Sequence, residues 1–306
     1  MTHLALVGPT ASGKSELALG VAHALGDVEI VSMDSMQIYR GLDIGTAKPT
    51  AAERAAVPHH MIDVADPLDE WSVARFQVEA RAAIADVHAR GKRALLVGGT
   101  GLYVRAVIDP LTFPPEDRTV RAHLEVEVAT GDGLRVAYDE LMRTDPVAAS
   151  RMEPGNSRRI VRALEVIRIT GKPFSSFGLG LGELGAPVVA VRLAGVWLPR
   201  PALARRIGER FCAMRESGLV DEVRALAAAG SLSRTARQAI GYKEVLDHLE
   251  GREPSLAAVF ETAEARTRRF ARRQRMWFRR DPRITWLGTT GNPCALLATL
   301  LAIWGA

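Results

Sequence analysis

Cys212 and Cys294 are the only cysteines in 306 residues. They lie far apart and outside any CxxC or Cys/His spacing, which excludes a disulfide framework and a cysteine zinc site, and two reduced thiols fit a cytoplasmic protein. Long apolar runs are missing as well. The best stretch, 294–304, falls short of the roughly 20 residues that span a bilayer, so no membrane partner is expected. The start of the chain lacks the basic, apolar and small-residue succession of a secretory signal. Lysine is scarce: of 40 basic residues only Lys14, Lys48, Lys92, Lys172 and Lys243 are lysines. High-GC coding produces that bias, so the formal charge of +5 decides little and the clustering of arginines decides more. Repeats and low-complexity tracts are absent. A hydrophobic content of 47% suffices for one large core, or for a core and a smaller domain.

The informative stretch is Gly8-Pro9-Thr10-Ala11-Ser12-Gly13-Lys14-Ser15, which fits G-x-x-x-x-G-K-[ST] at every fixed position. It follows the apolar run Leu4-Ala5-Leu6-Val7, a buried strand, and precedes an amphipathic helix over 16–25. In such a unit the glycines bring backbone N–H groups close to phosphate oxygens, and the helix N-terminus adds positive potential. Lys14 would neutralise phosphate charge and Ser15 would ligate magnesium. The chain is therefore expected to bind a di- or triphosphate.

A second strand over 29–33 ends at Asp34-Ser35-Met36-Gln37-Ile38-Tyr39-Arg40. Ligands of open α/β sheets bind outside the carboxyl ends of the strands, so Asp34 and Gln37 should face the phosphate loop's crevice. A carboxylate there could hold magnesium through water, serve as a general base, or simply start a turn. Residues 41–49 read as a glycine-punctuated loop. His59 and His60 are adjacent and diverge on any regular element, so packing or hydrogen bonding suits them better than metal binding. A crossover helix over 71–89 leads to a strand at 94–97, which runs into Gly98-Gly99-Thr100-Gly101-Leu102-Tyr103. An ATPase strand would end in an acid there; a hydroxyl such as Thr100 could instead hydrogen-bond a reacting oxygen. From 114 to 185 the pattern is helical (116–129, 133–144, 158–170) and closes in a glycine-rich segment at 178–185. A strand at 187–193 should rejoin the sheet, and the final third reads as helices at 200–217, 220–229, 237–249 and 255–280. The last of these carries nine arginines between Arg266 and Arg283, with Phe270, Trp277 and Phe278 among them. A polyanion-binding face and a solvated helix face are both open readings of it.

The phosphate loop, the Asp34 block, Asp43-Ile44-Gly45-Thr46-Ala47-Lys48-Pro49 and the Gly98 block together resemble the bacterial tRNA dimethylallyltransferases. So do Arg158-Arg159-Ile160-Val161-Arg162-Ala163-Leu164-Glu165, Gln238-Ala239-Ile240-Gly241-Tyr242 and Arg272-Arg273-Gln274-Arg275-Met276-Trp277-Phe278, in the family's order across nearly the whole chain. The resemblance implies a P-loop α/β core over 1–113 and 186–306, and a helical insertion over 114–185 that clamps the anticodon stem. It implies magnesium-dependent transfer of a dimethylallyl group from its diphosphate to the exocyclic amine of the adenosine 3′ of the anticodon. The tRNAs concerned read codons beginning with U. Asp34 would be the base, Thr100 would hold the donor's bridging oxygen, Arg210 would contact the leaving diphosphate, and Gln37 would read the flipped base's edge. Asp34 to Gln37 (with Ser35 and Met36), Arg121, Arg158 to Arg162 and Gln238 to Lys243 would face tRNA. A monomer is expected. The eukaryotic members' zinc finger has no counterpart here. A small-molecule kinase, using the same loop for ATP and Asp34 as base on a hydroxyl, is the rival reading.

Overall fold

The computed structural model describes residues 2–177, 184–230 and 232–304. Six strands, β1 (His3–Val7), β2 (Val28–Ser32), β3 (His59–His60), β4 (Arg93–Gly98), β5 (Val191–Trp197) and β6 (Ile284–Gly288), form one sheet. Its order is β3-β2-β4-β1-β5-β6, and every pairing is parallel. The helices are α1 (Lys14–Leu25), α2 (Ala51–Ala56), α3 (Val73–Ala89), α4 (Gly101–Ile108), α5 (Arg118–Ala129), α6 (Gly133–Thr144), α7 (Pro146–Ala149) and α8 (Ser157–Thr170). After β5 come α9 (Arg200–Glu216), α10 (Leu219–Ala229), α11 (Tyr242–Leu249) and α12 (Leu256–Phe278), and α13 (Leu297–Trp304) follows β6.

Helices cover both faces of the sheet, which is why β1, β2 and β4 are near-continuous apolar runs rather than alternating ones. Successive side chains of β1 enter opposite cores. Leu4 and Leu6 pack with Leu17 and Val21 of α1 and Leu300 and Trp304 of α13. Ala5 and Val7 belong to the other core, with Phe76 of α3, Val104 of α4 and Phe278 of α12.

The chain divides into two compact units, 1–109 with 187–306, and 110–186. The second unit is helical around its own core of Leu124, Leu141, Ile160 and Leu164. The glycine-rich segment singled out at 178–185 lies mostly outside the described residues.

Several elements differ from the sequence expectation. The strand expected at 187–193 is β5, four residues further on. The Val188 N–H donates to the Ile108 carbonyl, and pairing with β1 begins only at Val191 opposite His3. The helix expected over 237–249 starts at Tyr242, because Ala236–Gln238 forms a separate 3-10 turn and the Glu244 carboxylate caps the Gly241 N–H. The edge strand β6 and the helices α2, α4, α7 and α13 come in addition. His59 and His60 form the short β3. His60 Nε2 lies 2.7 Å from the buried Glu29 carboxylate and His59 Nδ1 2.7 Å from the Val57 carbonyl, so both are hydrogen-bonding residues.

Candidate functional site

The turn between β1 and α1 has the geometry of a phosphate-binding loop. Gly13, φ +85°, is the N-cap of α1, a left-handed conformation that leaves the first helical N–H groups facing the crevice. Ser12 is fully buried, yet its Oγ has no hydrogen-bond partner. A buried unsatisfied hydroxyl costs about 1–3 kcal/mol, and a phosphate oxygen would remove that cost. Lys14 is buried as well, with its Nζ 2.6 Å from the Pro9 carbonyl. Burial pushes its ammonium down to about 7; the Asp34 carboxylate opposes that shift and Arg210 adds to it. Both groups line a cavity of 420 Å³ with Ser15, Asp34, Gln37, Lys48, Arg206 and Arg210.

Arginines of α9 reach this loop from the far end of the sequence. Arg206 Nε donates to the Ala11 carbonyl at 2.9 Å, and Arg210 Nη1 donates to Thr10 Oγ1 at 3.1 Å. Burial shifts the Arg210 guanidinium down, with Asp34 opposing, but an arginine keeps its charge through such a change.

A second cavity, of 620 Å³, adjoins the first and shares Thr10, Asp34, Thr46, Arg210 and Phe270 with it. Its other walls include Thr100, Met36, Phe211, Ile240, Arg269 and Arg273. Asp34 thus faces both spaces. Its Oδ1 accepts the Met36 N–H at 2.8 Å, and among the described residues its Oδ2 has no hydrogen-bond partner. Thr100, the N-cap of α4, places Oγ1 3.4 Å from the Ser35 nitrogen and 3.5 Å from Ser35 Oγ. The motif residues Gly8 to Ser15, Asp34 and Thr100, with Arg210, are therefore gathered at the carboxyl ends of β1, β2 and β4.

The remaining residues divide. Gln238, Ala239 and Ile240 line the second cavity. Gln37 lies in the first, not the second, and its amide is taken up by Ser32 Oγ and the Thr46 and Ala47 carbonyls. Tyr242 is fully buried. Its hydroxyl donates to Glu222 at 2.5 Å and accepts the Gly45 N–H at 3.1 Å, so it props the 41–48 loop from behind. Lys243 pairs with Asp247 at 2.6 Å. In the helical unit Ile160 and Val161 are core residues, so neither can present a side chain to a ligand. Arg121 and Arg162 hold the buried Glu165, both at 2.9 Å. Arg158 and Arg159 are exposed.

The sequence reading missed Arg206, Gln274 and Glu222. Arg206 and Glu222 lay in no quoted motif; Gln274 stood inside the quoted Arg272 to Phe278 block. Glu222 accepts the Asp43 and Ile44 N–H groups as well as the Tyr242 hydroxyl.

A magnesium ion bound here would be held by few protein groups. Among the described residues no cluster of three His, Cys, Asp or Glu side chains could cage a metal. Ser15 and Asp34, hard oxygen donors on the wall of the first cavity, fit an ion that keeps most of its coordination to phosphate and water.

The IPP transferase family model matches residues 37–281. A tRNA dimethylallyltransferase of Salinispora arenicola is 51% identical over 292 residues, 95% of this chain and 83% of the relative. The crystal structure of a full-length tRNA isopentenylpyrophosphate transferase from Bacillus halodurans is 40% identical with a TM-score of 0.70, over 99% of this chain and 96% of that one. A eukaryotic dimethylallyltransferase acting on tRNA is 29% identical with a TM-score of 0.77, over 94% of this chain and 74% of that one. The kinase alternative is thereby set aside, and the chain belongs to the IPP transferase family, the family of the tRNA dimethylallyltransferases.

Proposed function

We propose that this chain transfers the dimethylallyl group of dimethylallyl diphosphate to the N6 amine of the adenosine 3′ of the anticodon, in tRNAs that read codons beginning with U. The observation that carries this reading is the meeting of two cavities at Thr10, Asp34 and Arg210. One is lined by groups that want an anion, and the other offers apolar walls and a carboxylate. A diphosphate in the first directs its alkyl carbon toward the second, where an adenine extruded from the anticodon loop is sheltered by Met36, Ile240 and Phe270.

An adenine amine is a weak nucleophile, because its lone pair is delocalised into the ring. As nitrogen bonds to the allylic carbon it passes a proton to the free Oδ2 of Asp34. The carbon–oxygen bond breaks and its electron pair stays on the diphosphate. The growing charge is met by Lys14, Arg210, the loop N–H groups, the orphaned Ser12 hydroxyl and the Thr100 hydroxyl at the bridging oxygen. Magnesium, held by Ser15, supplies further positive charge to the diphosphate when bound. Exposed Arg158 and Arg159 of the helical unit, and Arg269, Arg272 and Arg273 of α12, serve as phosphate contacts along the anticodon stem-loop. The enzyme works as a monomer.

The test is a transfer assay with purified protein, magnesium, labelled dimethylallyl diphosphate and unmodified tRNA, beside a reaction with labelled ATP. Label is expected in one tRNA adenosine from the prenyl donor alone. Asp34→Ala is expected to lower kcat by about a hundredfold to ten-thousandfold while tRNA affinity stays within a few fold. Label moving only from ATP refutes the reading, and an equal loss of turnover and affinity makes Asp34 a binding residue.

A further inference from the structure

We propose that Gln274 of α12 is a positioning residue for the transfer, holding the phosphate loop and the Thr100 loop at the fixed separation that aligns the donor. Its side chain is buried and lies between the two loops. Its Oε1 accepts the Thr10 N–H at 2.8 Å, and its Nε2 donates to the Gly99 carbonyl at 2.9 Å. One amide thus joins the segment that takes the diphosphate to the segment that carries the hydroxyl for its bridging oxygen. These segments lie 264 and 175 residues away in sequence.

Only a primary amide satisfies both ends. The partners are one donor and one acceptor, so reversing the amide would set NH₂ against N–H and oxygen against carbonyl. Glutamate would keep the contact to Thr10 but present a lone pair to the Gly99 carbonyl. Methionine would fill the space and bond to neither. The approach is close: a Cβ on Gly99 would come within 2.3 Å of Gln274 Nε2 and 3.1 Å of the Gly8 carbonyl. Thr10 is held a second time through its hydroxyl, which accepts from Arg210 Nη1 at 3.1 Å. Gln274 lines the first cavity, but both ends of its amide are spent on the Thr10 N–H and the Gly99 carbonyl rather than turned toward a reactant. It acts by setting where Thr10 and Thr100 stand relative to each other, a distance on which in-line departure of the diphosphate depends.

This role rests on the assignment of Thr100 to the donor's bridging oxygen, and the test separates the two. Steady-state kinetics are measured for wild type, Gln274→Met, Thr100→Ala and the double variant, per active site and well below each melting temperature. Gln274→Met is expected to lower kcat more than tenfold, with KM for both substrates within threefold. In the Thr100→Ala background the same change is expected to cost less than twofold, because the group being positioned is gone. An undiminished loss in that background, or an unchanged kcat per active site in Gln274→Met, overturns the proposal. Full activity of Thr100→Ala alone instead refutes the role of Thr100. If Gln274→Met fails to fold, Gln274→Glu enters the same cycle with the same criterion.

Discussion

Lys14 is buried among groups that solvate a cation poorly, and its ammonium is pushed down to about 7 chiefly by that burial. An ordinary lysine keeps its proton to about pH 10.4. Between about 7 and 10 the unfolded chain therefore holds more of this proton than the folded one. The free protein gains stability as pH rises through that window and carries the cost of a charged Lys14 below it. A bound diphosphate reverses the preference, since an anion beside Nζ favours the charged form. Binding above pH 7 then takes up a proton, and affinity should fall by up to about tenfold per pH unit. Calorimetric titration with dimethylallyl diphosphate at about pH 7 and about pH 8.5 is expected to show a loss of more than about tenfold for wild type and a flat response for Lys14→Met. Equal slopes for the two would assign the titration to another group.

At the scale of the element, α12 puts its arginines to two uses. Arg266 pairs with Glu244 and Arg268 with Glu264, while Arg275 lies over the Trp197 ring at 5.0 Å. Arg269, Arg272 and Arg273 are exposed, and among the described residues none has an acidic partner. Arg269→Ala with Arg273→Ala should flatten the slope of log affinity for tRNA against log salt by roughly 1.5, the release of two phosphate contacts on a single strand. Arg268→Ala, whose partner is internal, should leave the slope unchanged; equal effects would mean a merely solvated face. The helix itself was legible from its periodicity, and so were the buried strands β1, β2 and β4, because burial on both faces leaves an apolar run that composition exposes. β6 was not legible: only Ile284 and Leu287 of its five residues are buried, and it follows the arginine-rich helix almost at once. α4 was hidden by the glycines at its start. In the site, the phosphate loop, Asp34 and Thr100 could be found because adjacent residues build them. Contacts such as Arg206 to Ala11 or Gln274 to Thr10 join residues 195 and 264 positions apart, and no local spacing encodes them. Ile160, Val161 and Tyr242 show the converse: a matching block does not reveal which of its side chains turn inward.

For the whole molecule, the helical unit 110–186 interrupts the core between α4 and β5 and brings an apolar cluster of its own. A fragment of those residues alone should be helical and melt cooperatively by circular dichroism. A broad, non-cooperative melt would mean that the unit borrows its stability from the rest of the chain. The strand order adds a consequence in time. β1 is bordered by β4 on one side and β5 on the other, and β5 is made only after the insertion. A ribosome adding about 5–20 residues per second needs about 4–15 s to pass 110–186. Throughout that interval the nascent half-sheet ends in the free hydrogen-bonding edge of β1, an inner strand of the finished sheet, which makes this the moment of synthesis at which a second nascent chain or a chaperone has most to bind.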